Sequence, residues 1–450
     1  MSMWVCLFLG FGDAFVWGTS LDDEIRAGVA FGGRILGLGR SYSTSADGHM
    51  LIWDRQGNLL DALATGIMGT DEFFGACREG DSVVAVGFTS ALGNSDGLVV
   101  RSDSFGNPAW ILAIGGDMAE CFEATDGGYV AGYTSSWGSG ETDVFLLRMR
   151  AGAVVWAKAI GGGSFDYAKD IAVVNDTAIL VGYTESYGQL GDAMVMRVDS
   201  FGNLIWCKVF GGSGYDTGQR IVVVRDTIII AGRDGSNGGG ILVFALDLAG
   251  NLLWARLVRA TGYEFPLAIS ADDRAIYIGG KHTVGGPGFL IKLLTDGSLV
   301  WGRYIGGNSS DGIGALIVDE AFITSLGYTS SFGSGRKDFL FASVDHGGYN
   351  CVAREAEFLS YEIPLSSRDA TPSIFALSPS IASIEDLSFS PTLEYSLWCE
   401  GIGVAELPAA RVNWSGIYDC AGRFIGCQPK APGVYFQVFP DGRVRRLLMR

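Results

Sequence analysis

The sequence predicts an all-β chain: a seven-bladed β-propeller of four-stranded blades, followed by a small C-terminal β-sandwich. Three observations carry this. A glycine-centred phrase recurs seven times, a turn-and-tryptophan marker follows it in phase, and no stretch holds a sustained helical period. Composition agrees. With 67 Gly and 11 Pro in 450 residues and 48% apolar residues, the chain has material for a core and for many tight turns.

At the N-terminus, the apolar run over residues 3–11 is too short for a bilayer, which takes about 20 apolar residues. It suits the apolar part of a secretory signal, so a signal peptide is expected over residues 1–14, with its exit at Gly12-Asp13-Ala14. A buried first strand is the other reading. No other segment reaches transmembrane length without charges.

The repeats are expected over residues 15–356. Val181-Gly182-Tyr183-Thr184 returns as Val86-Gly87-Phe88-Thr89, Ala131-Gly132-Tyr133-Thr134 and Leu326-Gly327-Tyr328-Thr329. Degenerate copies centre on Gly39, Gly232 and Gly280, and the seven glycines lie 48, 45, 50, 50, 48 and 47 residues apart. The second marker, Gly202-Asn203-Leu204-Ile205-Trp206, has counterparts ending at Trp110, Trp156, Trp254 and Trp301, with Asp61 and Cys351 in the same slot of the first and last copies. Each repeat reads as four short strands, in the fourth copy 170–174, 178–183, 193–198 and 203–209, rich in Val, Ile and aromatics and ended by Gly, Asp or Asn turns. Asp199-Ser200-Phe201-Gly202-Asn203 reads as a hairpin, its Gly free to take positive φ. Four strands in about 48 residues, repeated in phase, is the signature of a propeller blade. The recurring Trp is expected to pack between blades.

With the turn Gly211-Gly212-Ser213-Gly214-Tyr215-Asp216, these phrases resemble the bacterial seven-bladed propeller repeats of the GGxxxD…GxTxS kind. The resemblance implies an extracellular or surface propeller, usually without an assigned activity. Copies five and six depart from it, with Gly232-Arg233-Asp234 and Gly280-Lys281-His282 in place of Gly-Tyr-Thr. A weaker likeness to quinoprotein-type repeats runs through Asp199 to Trp206 and Asp247 to Trp254.

Residues 357–380, with Pro364, Pro372 and Pro379 among Ser and Thr, read as a linker. Residues 381–450 read as the sandwich. Within them Tyr418-Asp419-Cys420-Ala421-Gly422-Arg423, then Gly433-Val434-Tyr435-Phe436 and a basic close, resemble the C-terminal sorting domains of type IX secretion cargo. That resemblance implies export, with the motif residues Tyr418, Asp419, Gly422, Arg423, Gly433, Val434, Tyr435 and Phe436 read by the export machinery, and a secreted or cell-surface location.

The net charge of −17 excludes a nucleic-acid binder or a polybasic membrane anchor, since both need a positive face. The eight cysteines form no CxxC pair, which excludes a zinc ribbon or thioredoxin-like site. His49, His282 and His346 are scattered, and Gly93-Asn94-Ser95-Asp96-Gly97 imitates a nucleophile elbow in a strand context where no helix follows.

Ten residues past each tryptophan slot stands an acid: Asp71, Glu120, Asp166, Asp216, Glu264 and Asp311, with Asp23 ahead of the first copy. Pointed at an axis, the seven would form a ring suited to Ca²⁺. Pointed locally, each would accept N–H bonds of its own turn. No other cofactor is indicated. A second acidic series, Asp96, Asp143, Asp192 and Asp338, opens the third strands.

A site that breaks symmetry belongs in copies five and six, where Arg256, Arg259, Tyr263, Glu264, Lys281 and His282 form a candidate binding patch. The function expected is a secreted or surface scaffold that binds protein or glycan through its loops. The alternative is an extracellular propeller enzyme, either a polysaccharide lyase or hydrolase or a quinoprotein-like oxidoreductase.

Overall fold

The chain folds as a β-propeller without a helix among the described residues. The computed structural model describes residues 14–383 except 20, 43–45, 66–68, 189, 334–335 and 351–352, and beyond them the strands at 388–389, 394–397, 416–419, 424–426, 433–438 and 444–449.

Strand β1 (Ala14–Gly18) comes first. Then follow four-strand meanders: β2–β5 (Asp23–Phe31, Arg34–Tyr42, Ala46–Asp54, Leu59–Thr65), β6–β9 (Asp71–Glu79, Ser82–Thr89, Asp96–Ser102, Pro108–Gly115) and β10–β13 (Glu120–Asp126, Tyr129–Thr134, Asp143–Arg150, Ala153–Gly161). Next are β14–β17 (Asp166–Val174, Thr177–Thr184, Asp192–Val198, Leu204–Gly211) and β18–β21 (Thr217–Val224, Thr227–Arg233, Ile241–Asp247, Leu252–Arg259). Last are β22–β25 (Glu264–Ala271, Ala275–His282, Gly288–Leu294, Leu299–Ile305) and β26–β28 (Asp311–Val318, Phe322–Thr329, Asp338–Asp345), the latter completed by β1 pairing with β28.

The first five meanders are separate sheets, whereas β22–β25 and β26–β28 with β1 belong to one ten-stranded sheet. Their link is the single pair Lys281↔Gly312. Where the other first strands carry Glu24, Glu72, Cys121, Tyr167, Thr217 or Phe265, this one has glycine, so the neighbouring backbone can approach. The first strands β2, β6, β10, β14, β18, β22 and β26 adjoin one another in that order, and β26 adjoins β2.

The largest departure from the sequence expectation is at residues 357–380. Instead of a linker they carry short strands, part of a belt that runs around the ring against the chain order. Strand β29 (Ala353–Glu355) pairs with β25, β30 (Leu359–Glu362) with β21, β31 (Ser366–Asp369) with β17 and β32 (Ser373–Leu377) with β13. Then β33 (Ser380–Ser383) pairs with β9, β34 (Ser388–Phe389) with β5 and β35 (Glu394–Leu397) with β1, every pairing antiparallel. The prolines that suggested a linker lie between successive belt strands, where a residue without an N–H ends pairing and lets the chain cross to the next sheet.

Side chains also anchor the belt. Phe358 is buried against Phe289 and Tyr304, with ring centroids 6.0 and 5.9 Å away. The guanidinium of Arg368 meets the Asp192 carboxylate and donates to the Tyr187 carbonyl at 2.7 Å.

The expected C-terminal sandwich is not what the described strands form. Glu394–Leu397 belongs to the propeller, and β36–β39 (Gly416–Asp419, Phe424–Gly426, Gly433–Val438, Val444–Met449) form one four-stranded sheet. In it the two sorting-type motifs are partners, with Tyr418 opposite Phe436 and Asp419 opposite Tyr435. Gly422 and Arg423 lie outside the described residues, as do residues 1–13 of the expected signal. Ala14, placed at the end of that signal, is buried and pairs with Ala342.

The core lies between sheets. One cluster joins Leu146 and Tyr129 to Leu180, Met194 and Met196; the next joins Val195 and Phe210 to Ile228, Ile230 and Phe244. The tryptophan marker follows the same logic. The indole N–H of Trp156 donates to the Ser200 carbonyl at 2.9 Å, and that of Trp206 to the Leu248 carbonyl at 3.1 Å, each reaching the hairpin of the following sheet.

The repeat glycine has an equally local cause. Every first strand is bulged against its second strand, at Arg26, Phe74, Glu123, Lys169, Gln219, Leu267 and Gly314. The bulge drives a carbonyl against the partner strand. A Cβ at Gly182 would lie 1.7 Å from the Tyr167 oxygen, and at Gly39, Gly132 and Gly327 only 1.8–1.9 Å from the corresponding oxygens.

Two stability predictions follow from this packing. Gly182→Ala should destabilise the fold by at least 1–3 kcal/mol, the range for overpacking. Gly163→Ala, whose Cβ meets nothing within 4 Å, should leave the melting temperature unchanged in the same thermal scans. Phe358→Ala should cost about 3–5 kcal/mol in urea unfolding, against a near-neutral effect of Leu359→Ala on the exposed side of the belt.

Candidate functional site

The recurring acids fix the turns and loops at one end of the channel. Each stands at or just before the start of a first strand and is buried. Asp166 accepts the Gly162 N–H at 2.8 Å and the Ser186 hydroxyl at 2.7 Å. Asp216 accepts Gly212 N–H and Gly235 N–H, both at 2.8 Å, and Asp311 accepts Gly307 N–H at 2.9 Å and the Ser331 hydroxyl at 2.8 Å. Glu120 takes Gly116 N–H at 2.7 Å and the Thr134 hydroxyl at 2.8 Å. Asp23 and Asp71 are buried at the equivalent positions. Among the described residues no three His, Cys, Asp or Glu side chains are gathered to hold a metal ion. Of the second series, Asp143 accepts Ser139 N–H at 2.9 Å, and Asp192 holds the belt through Arg368.

Because side chains alternate along a strand, the residue after each acid faces the other way. There it pairs across with the residue after each repeat glycine: Glu24 with Arg40, Glu72 with Phe88, Cys121 with Tyr133 and Tyr167 with Tyr183. The set is completed by Thr217 with Arg233, Phe265 with Lys281 and Gly312 with Tyr328. These pairs share one level on the two innermost strands, at the mouth of the channel.

The two sides of the mouth differ. On one side Tyr133 meets Tyr167 edge-on at 4.9 Å, Tyr167 stacks on Tyr183 at 4.8 Å, and Tyr183 packs against Tyr215 at 5.6 Å. Tyr133, Tyr167 and Tyr183 are half-buried and Tyr215 is exposed, so the wall presents ring surface to solvent. On the other side is an ion network. Arg40 lies 2.6 Å from Glu72 and 3.3 Å from Glu24, and Arg26 lies 3.1 and 3.2 Å from the same two carboxylates. The Lys337 ammonium also meets Glu24 and sits 4.4 Å above the Tyr328 ring. Burial alone would raise the pKa of Glu24, but Arg26, Lys337 and Arg40 outweigh it and hold it at about 2. A carboxylate so held stays ionised and cannot serve as a general acid near neutrality.

Below the mouth, a cavity of about 140 Å³ is lined by all seven first strands, with Arg26, Phe74, Glu123 and Lys169 at their bulges. Lys169 pairs with Glu123 at 2.6 Å. Asp170 accepts Ile171 N–H at 2.9 Å and Ile221 N–H at 3.0 Å, and burial pushes it up to about 6 despite Arg220.

The six candidates from copies five and six do not form one patch. Lys281 belongs to the mouth pairs, opposite Phe265. Tyr263 is exposed and fills the same place in its turn as Tyr215. Arg256 lies on the fourth strand 3.5 Å from Glu362 of the belt, and Arg259 holds the Asn237 carbonyl at 3.1 Å with its guanidinium over Tyr361. Glu264 and His282 form a buried pair at 3.5 Å, where bonds from His282 and Thr261 overcome burial and hold Glu264 at about 2. His49 is buried apart, and His346 bonds Tyr277 at 2.9 Å. The aromatic wall and the bulge residues escaped the sequence reading. Tyr133 and Tyr183 follow repeat glycines, whereas Tyr167 and Tyr215 flank the repeat acids and the bulge residues carry no repeated mark.

No family model and no curated protein matches the chain. Solved structures similar to it include the WD40 β-propeller domain of Doa1, at 14% identity and a TM-score of 0.49 over 74% of this chain and 97% of that one. Sqt1 from Chaetomium thermophilum, bound to the N-terminus of the ribosomal protein L10, is similar at 12% identity and a TM-score of 0.43, over 73% of this chain and 98% of that one. A europium-containing methanol dehydrogenase is similar at 12% identity and a TM-score of 0.38, over 72% and 81% of the two chains. No helix among the described residues is long and apolar enough to cross a membrane.

The network sets an acid-side prediction. A folded-state pKa near 2 for Glu24, below its ordinary 4.5, means stability that is fully present above pH 4.5 and lost as pH falls towards 2. Glu24→Gln leaves Arg26, Arg40 and Lys337 short of a partner and should destabilise the protein by about 3 kcal/mol at pH 7. In urea unfolding across pH 7 to 2, the gap between variant and wild type should close at the acid end.

Proposed function

We propose that the chain is a seven-bladed propeller that works as an exported binding scaffold and holds a saccharide-bearing ligand at the mouth of its channel. The blade number rests on seven repeats in sequence, the closed succession of first strands, and the single residue pair that joins the two halves of the ten-stranded sheet. Export rests on the apolar run at residues 3–11 and the two sorting-type motifs, which face each other in one sheet.

The observation that carries the binding reading is the wall of Tyr133, Tyr167, Tyr183 and Tyr215. Consecutive aromatic rings left open to solvent at a channel mouth offer flat apolar faces with hydroxyl edges, the surface on which the C–H face of a pyranose packs. Exposed Glu185 lies beside Tyr183 and Tyr215, while three other carboxylates of the mouth are committed, Glu24 and Glu72 to arginines and Glu123 to Lys169. Their commitment favours holding a ligand over transforming it. The other partner class, a protein segment, would meet the same wall through its own apolar side chains.

The test is an oligosaccharide array, with isothermal titration of the strongest hits. Wild-type protein should bind a subset of sugars, and Tyr183→Ala should weaken that binding by about tenfold or more without changing the melting temperature. Wild-type protein that binds no saccharide, or a Tyr183→Ala variant with undiminished affinity, refutes the reading.

A further inference from the structure

We infer that the ligand at the mouth is an acidic saccharide, bearing uronate or sulfate groups, and that Lys281 and Arg233 are the side chains that receive its charge. The inference rests on the saccharide reading above and adds the chemical class. Its first ground is charge balance. In a chain of net charge −17, the arc from Arg233 through Lys281 and Lys337 to Arg26 and Arg40 is a local excess of cations. Among the described residues the carboxylates paired with it are Glu24 and Glu72, and they are taken by Arg26, Arg40 and Lys337. A network built only for stability would close its charges, because an unmatched cation out of water is unfavourable.

The second ground is Lys281 itself. It is half-buried and has no ion pair among the described residues. Burial holds its pKa below the ordinary lysine value, and the cations Lys337, Arg26 and Arg40 add to this against the pull of Glu24. An arriving carboxylate or sulfate would supply the missing partner.

The third ground is where the repeat breaks. The position after the repeat glycine is aromatic in Phe88, Tyr133, Tyr183 and Tyr328, and cationic in Arg233 and Lys281 of copies five and six and in Arg40 of the first copy, whose charge is taken by Glu24 and Glu72. Arg233 lies within the sheet that Tyr215 leads into, next to the end of the aromatic wall, and Lys281 lies in the following sheet, towards Lys337, Arg26 and Arg40. A sugar ring stacked on the wall can extend its acidic substituent over them.

The experiment compares size-matched probes by titration: an oligogalacturonate, its methyl ester, a sulfated chondroitin oligosaccharide and its desulfated form. Wild type should bind an acidic probe about tenfold or more above its neutralised counterpart, with affinity falling as salt rises. The carboxylate and sulfate arms show which anion is read. Lys281→Gln and the exposed Arg233→Gln should each remove most of that preference while binding to the neutral probe stays. If Lys281→Gln fails to fold, Arg233→Gln decides alone. Equal affinity for acidic and neutral probes, or a preference untouched by these substitutions, overturns the inference and leaves the saccharide reading standing. No binding of any probe overturns both.

Discussion

The buried carboxylate at the start of each first strand is the interaction on which the ring depends. The turn arriving from the preceding sheet gives it N–H groups, as Gly162 does for Asp166 and Gly307 for Asp311, and the loop after the second strand gives it hydroxyls, as Ser186 and Ser331 do. One side chain thus ties three chain segments from two neighbouring sheets. Burial raises the pKa of Asp166 and Asp311, and these bonds oppose it. The turn must be glycine for the same reason: a Cβ on Gly161 would lie 1.7 Å from an Asp143 oxygen and 2.8 Å from one of Asp166. Acid and glycine therefore recur together, except before Glu264, where Arg259 takes the glycine's place and no aspartate opens the third strand.

A ring of meanders leaves one outer edge on every sheet, and unpaired edges invite association. Here the C-terminal part of the chain covers them. Strands β29 to β35 visit the sheets in reverse order, so closure comes from both ends, with β1 completing the last sheet and β35 covering β1. The cover is thin. Among the described belt side chains few are buried besides Phe358 and Ala370, and Leu359, Tyr361, Phe375 and Ile381 remain exposed. Backbone pairing and a few anchors such as Arg368 and Arg354 hold it in place.

Repetition builds the frame, and departures from it build the mouth. Seven equivalent pairs of positions ring the channel, and the frame holds whichever residues occupy them, because their backbones are set by the bulge below and the acid above. One arc is filled with tyrosines, another with arginine, lysine and two committed glutamates. This asymmetry on a symmetric scaffold is the physical basis for a directional site.

What the sequence alone determined is what recurs at short range. The acid, the glycine opposite the bulge, the Asp-x-x-Gly-Asn hairpin and the inter-sheet tryptophan each answer a need within one or two neighbouring repeats, so each left a periodic mark. The strands read in the fourth copy fall within Asp166–Val174, Thr177–Thr184, Asp192–Val198 and Leu204–Gly211 save for Asn203 at one edge. Tertiary structure alone decided what depends on distant partners. Arg368 finds Asp192 across 176 residues and Lys337 finds Glu24 across 313, separations at which no local pattern survives. The part of the belt over residues 357–380 read as a linker because short edge strands divided by prolines have the composition of one. The grouping of Lys281 with Arg26 and Arg40, rather than with Arg256 and Arg259, was decided by which strand of each sheet faces the axis, a consequence of closing the ring.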